Sequence, residues 1–311
     1  MLLLILRILQ GFSVGGELTG SAIFLVEHAP HSKRGFYGSL SMAGQYLGLL
    51  IAVIVALWIN NRFQQAAVVR WIWRLPFLFA IIGGFWGWLA RLHVHETKLF
   101  QQAIPITNHY LSLYRGYVKH LRHTLLIVGI ILFGTVASYL TYVFSVTYMH
   151  TILNYPLETA LKINIFSIIL LVLLVPCGGK LSDIIGRRLV MIYAAIGGLV
   201  WAWPYFWLLQ QHTFTLALIA QGIITIFIAM YFSSAIVATV EIVPVQLRFS
   251  IVAVAYALAT SIFGGATPLI ATLLLKLTHS YISLALYLMI CTLISLIAVY
   301  KVKETKGVPL P

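Results

Sequence analysis

The sequence predicts an all-α membrane protein with about nine transmembrane helices. Three observations carry that prediction. The 311 residues are 61% hydrophobic and only 9% charged, with a mean hydropathy of +0.98, outside the range of a soluble globular domain. Apolar runs of about 20 residues, the length needed to cross a hydrocarbon core roughly 30 Å thick, recur along nearly the whole chain. The formal net charge of +13 comes from basic residues in short loops between those runs, not from one solvated face. That distribution argues against nucleic-acid binding.

The runs are Leu2–Val26, Phe36–Ile59, Leu75–Ala90, Thr124–Tyr148, Leu161–Gly178, Leu189–Leu209, Phe214–Val243, Phe249–Leu275 and Tyr281–Tyr300. Met1 leads directly into LLLILRILQG, without a basic stretch or small-residue cleavage site, so no cleavable leader is expected. Gly11 with Gly15, and Gly16 with Gly20, form small-xxx-small pairs in the first run that allow a neighbouring helix to approach closely. The longest polar stretch, Arg91 to His123, separates three runs from six and reads as a linker. In the eighth run, Phe263-Gly-Gly-Ala-Thr-Pro268 is expected to interrupt the helical ladder. Cys177 and Cys291 both fall inside apolar runs and read as inert core thiols.

Loop charge sets the topology. One side collects Lys33 and Arg34; Arg91, Lys98, Arg115, Lys119 and Arg122; Lys180, Arg187 and Arg188; Arg248; and Lys301, Lys303 and Lys306. The other collects Arg62, Arg70, Arg74, Lys162 and Lys276. Fourteen against five places the linker and the C-terminal tail in the cytoplasm and the N-terminus outside.

The chain also repeats itself. Glu27-His-Ala-Pro30-His-Ser-Lys-Arg34 leaves the first run, and Glu241-Ile-Val-Pro244-Val-Gln-Leu-Arg248 leaves the seventh, both as E-x-x-P-x-x-x-R. In each, proline stops a helix and arginine opens the next. Two copies at equivalent helix ends, six runs apart, point to duplicated halves.

These residues resemble a known family. Arg7-Ile-Leu-Gln10-Gly11 resembles the R-x-x-Q-G motif of the fourth span of the major facilitator superfamily. GFSVGGE, VEHAP and KRGFYGS are similar to its metabolite:proton symporter branch, which includes proline/betaine transporters, and Trp73-Arg-Leu-Pro-Phe77 to that family's start of the sixth span. Gly179-Lys-Leu-Ser-Asp183-Ile-Ile-Gly186-Arg187-Arg188 matches its G-x-x-x-D-x-x-G-R-R loop in the second-half copy. The resemblance implies a major-facilitator-type helical bundle at the bacterial cytoplasmic (inner) membrane. It also implies a secondary transporter, not an enzyme, that carries a compact solute such as proline, betaine or a carboxylate with protons by alternating access. Against the family's twelve spans the chain would begin at the fourth. Residues 1–90 would then be family spans 4–6, 91–123 the cytoplasmic linker, and 124–311 a six-helix bundle of spans 7–12. The expected alternative is an inactive, truncated remnant or one half of a split transporter whose partner is a separately encoded N-terminal fragment. Expressed alone, the chain is then expected not to perform coupled uptake.

Within this frame the polar residues of the spans acquire roles. A charge near mid-bilayer costs at least ~2.5–3.5 kcal/mol, so it usually faces a cavity or a partner. Arg7 and Glu17 are ten residues apart, about 15 Å along a helix and off one face, so they are not expected to pair with each other. With Gln10 they are the proton-coupling candidates, since the resemblance implies that this span lines the central cavity. Glu27, near the helix end, is expected to pair with the loop that follows it. Asp183, Arg187 and Arg188 form a charged turn that the resemblance reads as a gating latch, with Glu27, Arg34, Glu241 and Arg248 in the same cytoplasmic network. Ser138, Tyr139 and Tyr142, and more weakly Tyr231, are solute-cavity candidates, because aromatic rings attract a quaternary ammonium through cation–π contact.

Other chemistry is poorly represented. His93, His95, His109, His120 and His123 are irregularly spaced and lack a cysteine, so they read as solvated loop residues and no metal or other cofactor is expected. No G-x-x-x-x-G-K-[ST] or nucleophile elbow occurs, which leaves a membrane-embedded enzyme without a candidate site.

Overall fold

A computed structural model describes residues 16–92 and 121–311. These residues fold into helices: α1 Glu17–His28, α2 Arg34–Arg62, α3 Gln65–Arg70, α4 Leu75–Arg91, α5 Leu121–Ser138, α6 Leu157–Ile185, α7 Arg187–Leu209, α8 Phe214–Glu241, α9 Val245–Leu258, α10 Thr267–Thr278 and α11 Ile282–Lys301. Eight helical stretches among the described residues are long and apolar enough to cross a membrane, matching the second to ninth predicted runs in order. Of the first run only its end is described, as α1. Arg7, Gln10, the Gly11–Gly15 pair and most of the linker, including His93, His95, His109 and His120, lie outside the described residues.

Helix ends follow local chemistry. Pro30 and Pro244 take nearly identical extended conformations, φ −55° and ψ 142° against φ −57° and ψ 143°, directly before a new helical turn. The missing N–H and the fixed φ of proline suit that place. Gly186, at φ +105°, makes the sharp corner between α6 and α7, which an L side chain would strain.

In packing, α8 is the central element, with most of its side chains buried. Around it, α6 and α7 lie against α8, α11 against α5 and α7, and α2 against α6. The last contact is a small-residue crossing: a Cβ on Gly35 would collide with the Gly179 carbonyl, and one on Gly179 with that of Gly35. Such crossings bring backbones close where no hydrophobic effect separates helix from lipid. Gly16 and Gly20 do similar work for α1, since a Cβ there would meet the Phe249 ring at 3.0 and 3.3 Å. Outward faces carry large apolar residues such as Leu173, Ile184, Val200 and Leu277, as a lipid-facing surface requires.

Two expectations need correction. Cys291 is buried, but Cys177 sits on the outer face of α6 and is not a core thiol. The expected break in the eighth run is present but starts earlier, as a π-helical turn over Ala259–Gly264 between α9 and α10. A second π-helical turn, Tyr139–Phe144, extends α5, and a third covers Tyr148–Ile152.

Candidate functional site

Two polar constructions stand out in an apolar molecule: a buried layer of charge at one end and a ring-lined cavity further in.

The charged layer is built from the repeat. Glu27, at the end of α1, pairs with Arg248 of α9 at 2.5 Å, both side chains almost fully buried. This ion pair of Glu27 is made with the second copy of the motif. Arg248 also donates to the main-chain oxygens of Val240, Val243 and Pro311. The other copy is not its mirror. Arg34 lies within Coulombic reach of Glu241, but its guanidinium donates to the Val308 carbonyl at 2.9 Å. Glu241 instead takes Arg187, at 3.3 Å to each carboxylate oxygen, and accepts the hydroxyl of Thr305 at 2.5 Å.

Asp183 joins the halves. One carboxylate oxygen accepts the Gly35 amide at 2.8 Å, the other the Phe36 amide at 2.9 Å, and Arg187 lies 2.9 Å away. A carboxylate on the first amides of α2, a 29-residue helix, satisfies donors that have no intrahelical acceptor and meets the positive end of the helix dipole. Arg188 stands at the rim, half-buried, donating to the Tyr300 carbonyl. Outside the predicted set, Glu304 caps α7 by accepting the amides of Arg187 and Arg188 at 2.9 and 3.0 Å. The tail Val302–Pro311 is thus stitched across both copies of the motif. A polar stretch without hydrophobic period gave no sign of this.

The cavity, about 490 Å³, lies between α2, α5 with its π-helical turn, α8 and α9. Tyr46 is twelve residues beyond Arg34, about 18 Å along the helix axis, which puts the cavity well inside the layer. Ser138, Tyr139 and Tyr142, the solute-cavity candidates, all line it. Tyr46, Tyr256 and Phe232 complete an aromatic wall, with Gln45, Thr135, Thr260 and Ser261 supplying polar atoms. The Tyr46 and Tyr142 rings meet edge-on at 6.0 Å, and the Tyr46 hydroxyl is 3.0 Å from that of Ser138. The Tyr142 hydroxyl donates to Thr225 at 3.0 Å, which fixes the ring from behind. No charged side chain is among the described lining residues. Both flanking π-helical turns contribute, through Tyr139 and Tyr142 on one side and Thr260 and Ser261 on the other. Wider turns of this kind often mark functional sites.

Tyr231 is not a cavity residue. Its ring packs on Phe133, with centroids 4.9 Å apart, and its hydroxyl donates to the Ile130 carbonyl at 2.7 Å. The next residue, Phe232, faces the cavity instead. Glu17, a cavity candidate in the sequence, is exposed at the start of α1 and is not among the described lining residues; its neighbour Leu18 is.

The Major Facilitator Superfamily profile matches residues 1–268. The chain belongs to the Major Facilitator Superfamily. Among relatives within it, the citrate-proton symporter of Klebsiella pneumoniae is 31% identical over 282 residues, 89% of this chain and 63% of that protein. The proline/betaine transporter of Escherichia coli K12 is 29% identical over 322 residues, 100% of this chain and 64% of that protein. The chain therefore spans less than two thirds of the length of these superfamily members. Among solved structures, the proton:xylose symporter XylE bound to 6-bromo-6-deoxy-D-glucose superposes with a TM-score of 0.71 over 93% of this chain and 68% of that one. At 18% identity this supports the fold alone. The protein is an integral multi-pass membrane protein, and its bacterial relatives agree with the cytoplasmic membrane.

Proposed function

We propose that the protein is an alternating-access secondary transporter that carries a compact zwitterion, of the proline or betaine type, together with protons. One observation carries the choice of solute: the cavity wall combines the rings of Tyr46, Tyr139, Tyr142, Tyr256 and Phe232 with uncharged polar groups. Ring faces attract a quaternary or secondary ammonium by about 0.5–2 kcal/mol each. Hydroxyl and amide donors such as Ser138 and Gln45 can receive a single carboxylate. A carboxylate solute is the second reading, favoured by the citrate-proton symporters among the relatives.

In this reading Arg7, Gln10 and Glu17 couple protons to solute. The charged layer is the closed cytoplasmic gate between residues 1–90 and 124–311, with 91–123 linking the two. Opening it requires parting Glu27 from Arg248, Asp183 from the α2 amides, and Arg34 from Val308. Tight binding of glycine betaine or proline to the purified protein by calorimetry, with citrate silent, is the expected result; the reverse order removes the zwitterion reading.

A further inference from the structure

A second opening lies on the outside of the bundle, away from the cavity. Near the end that carries the charged layer, α5 and α11 part to leave a groove of about 740 Å³. Its floor is set by close contact: a Cβ on Gly129 would meet the Ala298 methyl at 2.8 Å. The helices are pinned there by Ser295, whose hydroxyl donates to the Gly129 carbonyl at 2.7 Å and accepts the Phe133 amide at 2.8 Å. Beyond the pin the walls are apolar and outward-facing, with Leu125 63% and Ile297 58% exposed.

The mouth of the groove has the opposite character. Arg122 and Lys301 line it, together with His123. The arginines of the charged layer all have carboxylate or carbonyl partners. Among the described residues, Arg122 and Lys301 take part in no ion pair. Two unmatched cations at the membrane boundary above an apolar slot ask for a ligand with an anionic head and a hydrocarbon tail. In sequence, residues 93–120 are themselves net basic, with Glu96 against Lys98, Arg115 and Lys119.

We infer that this groove binds an anionic phospholipid of the cytoplasmic leaflet. Its headgroup phosphate sits on Arg122 and Lys301, and one acyl chain lies along Leu125 and Ile297 toward the Gly129–Ala298 floor. Basic pockets between transmembrane helices on the cytoplasmic side suit such headgroups. The inference does not rest on the transport reading, and its test reads lipid retention alone.

The full chain, purified in mild detergent, is titrated with phosphatidylglycerol or phosphatidylcholine, and retained lipid is counted by native mass spectrometry. Phosphatidylglycerol is expected to bind in preference. The double substitution Arg122→Gln with Lys301→Gln weakens it on the order of ten-fold, to the phosphatidylcholine level. Ile297→Trp, which fills the slot and keeps both charges, lowers retention as well. Glycerol phosphate, carrying the head without the tail, does not compete. Equal retention of the two lipids, a preference that survives the double substitution, or displacement by glycerol phosphate overturns the inference. So does a photo-crosslinker at Ile297 that captures residues 93–120 in place of lipid.

Discussion

Glu27 and Arg248 are 221 residues apart in sequence and form a buried ion pair at 2.5 Å. Each is the outer residue of one copy of the same eight-residue motif, so the pair ties the two copies together at one end of the bundle. Removing one partner of a buried pair typically costs about 3–5 kcal/mol, because the other charge stays behind. Both Glu27→Gln and Arg248→Met should lower the unfolding temperature in detergent. Arg248→Met should cost more, since it also frees the oxygens of Val240, Val243 and Pro311. Equal and negligible shifts would show that the layer does not hold the ends together.

The crossing of α2 and α6 gives a second expectation. Gly35→Ala places a methyl against backbone, which cannot yield as a side chain can, and should destabilise the fold by about 1–3 kcal/mol. Gly44→Ala on the same helix meets nothing within 4 Å. It should be neutral or stabilising by up to about 1 kcal/mol, because alanine is the better helix former. Thermal unfolding of the two variants side by side checks this; similar shifts would contradict the close approach.

Glu304 is expected to hold the layer shut through the cap on α7. In a background with Cys177→Ala and Cys291→Ala, a cysteine placed at the buried Ser182 should react slowly with a water-soluble maleimide. Glu304→Ala should raise that rate several-fold, because the tail then loses the bonds to Arg187 and Arg188 that anchor it. An unchanged rate would reduce the tail to an ornament of the closed state.

Cavity and core tyrosines should separate cleanly. Tyr139→Leu removes a ring from the cavity wall and should weaken glycine betaine binding by roughly 2- to 30-fold, the range of one cation–π contact. Tyr231→Phe should leave affinity unchanged and cost about 1 kcal/mol of stability, from the lost bond to Ile130. The opposite pattern, measured by calorimetry and thermal shift, would return Tyr231 to the cavity.

That contrast shows where the sequence was readable. Apolar runs announce helices because a bilayer allows little else, and eight of nine lie among the described residues. The repeated E-x-x-P-x-x-x-R was legible too, since proline and charge at a helix end have few uses. Which face of an apolar helix meets a cavity was not. Tyr231 and Tyr142 look alike in sequence, and only tertiary contact turns one to Thr225 and the other to Ile130. Tyr46 and Tyr256 interrupt apolar runs in the same way as Tyr142, and that is the signal that could have found them. The π-helical turns at Tyr139 and Ala259 shift hydrogen bonding by one residue without a residue type that demands it. Glu304 was hidden in a tail whose lysines drew attention only as loop charge.

The most direct test of the proposed transport is uptake of radiolabelled glycine betaine by membrane vesicles carrying the protein, driven by an imposed inward proton gradient. Accumulation above equilibrium is predicted, lost on adding a protonophore and impaired by Glu17→Gln. No accumulation at all, the outcome expected of a truncated remnant, accumulation indifferent to the protonophore, or citrate accumulating where glycine betaine does not, would contradict the account.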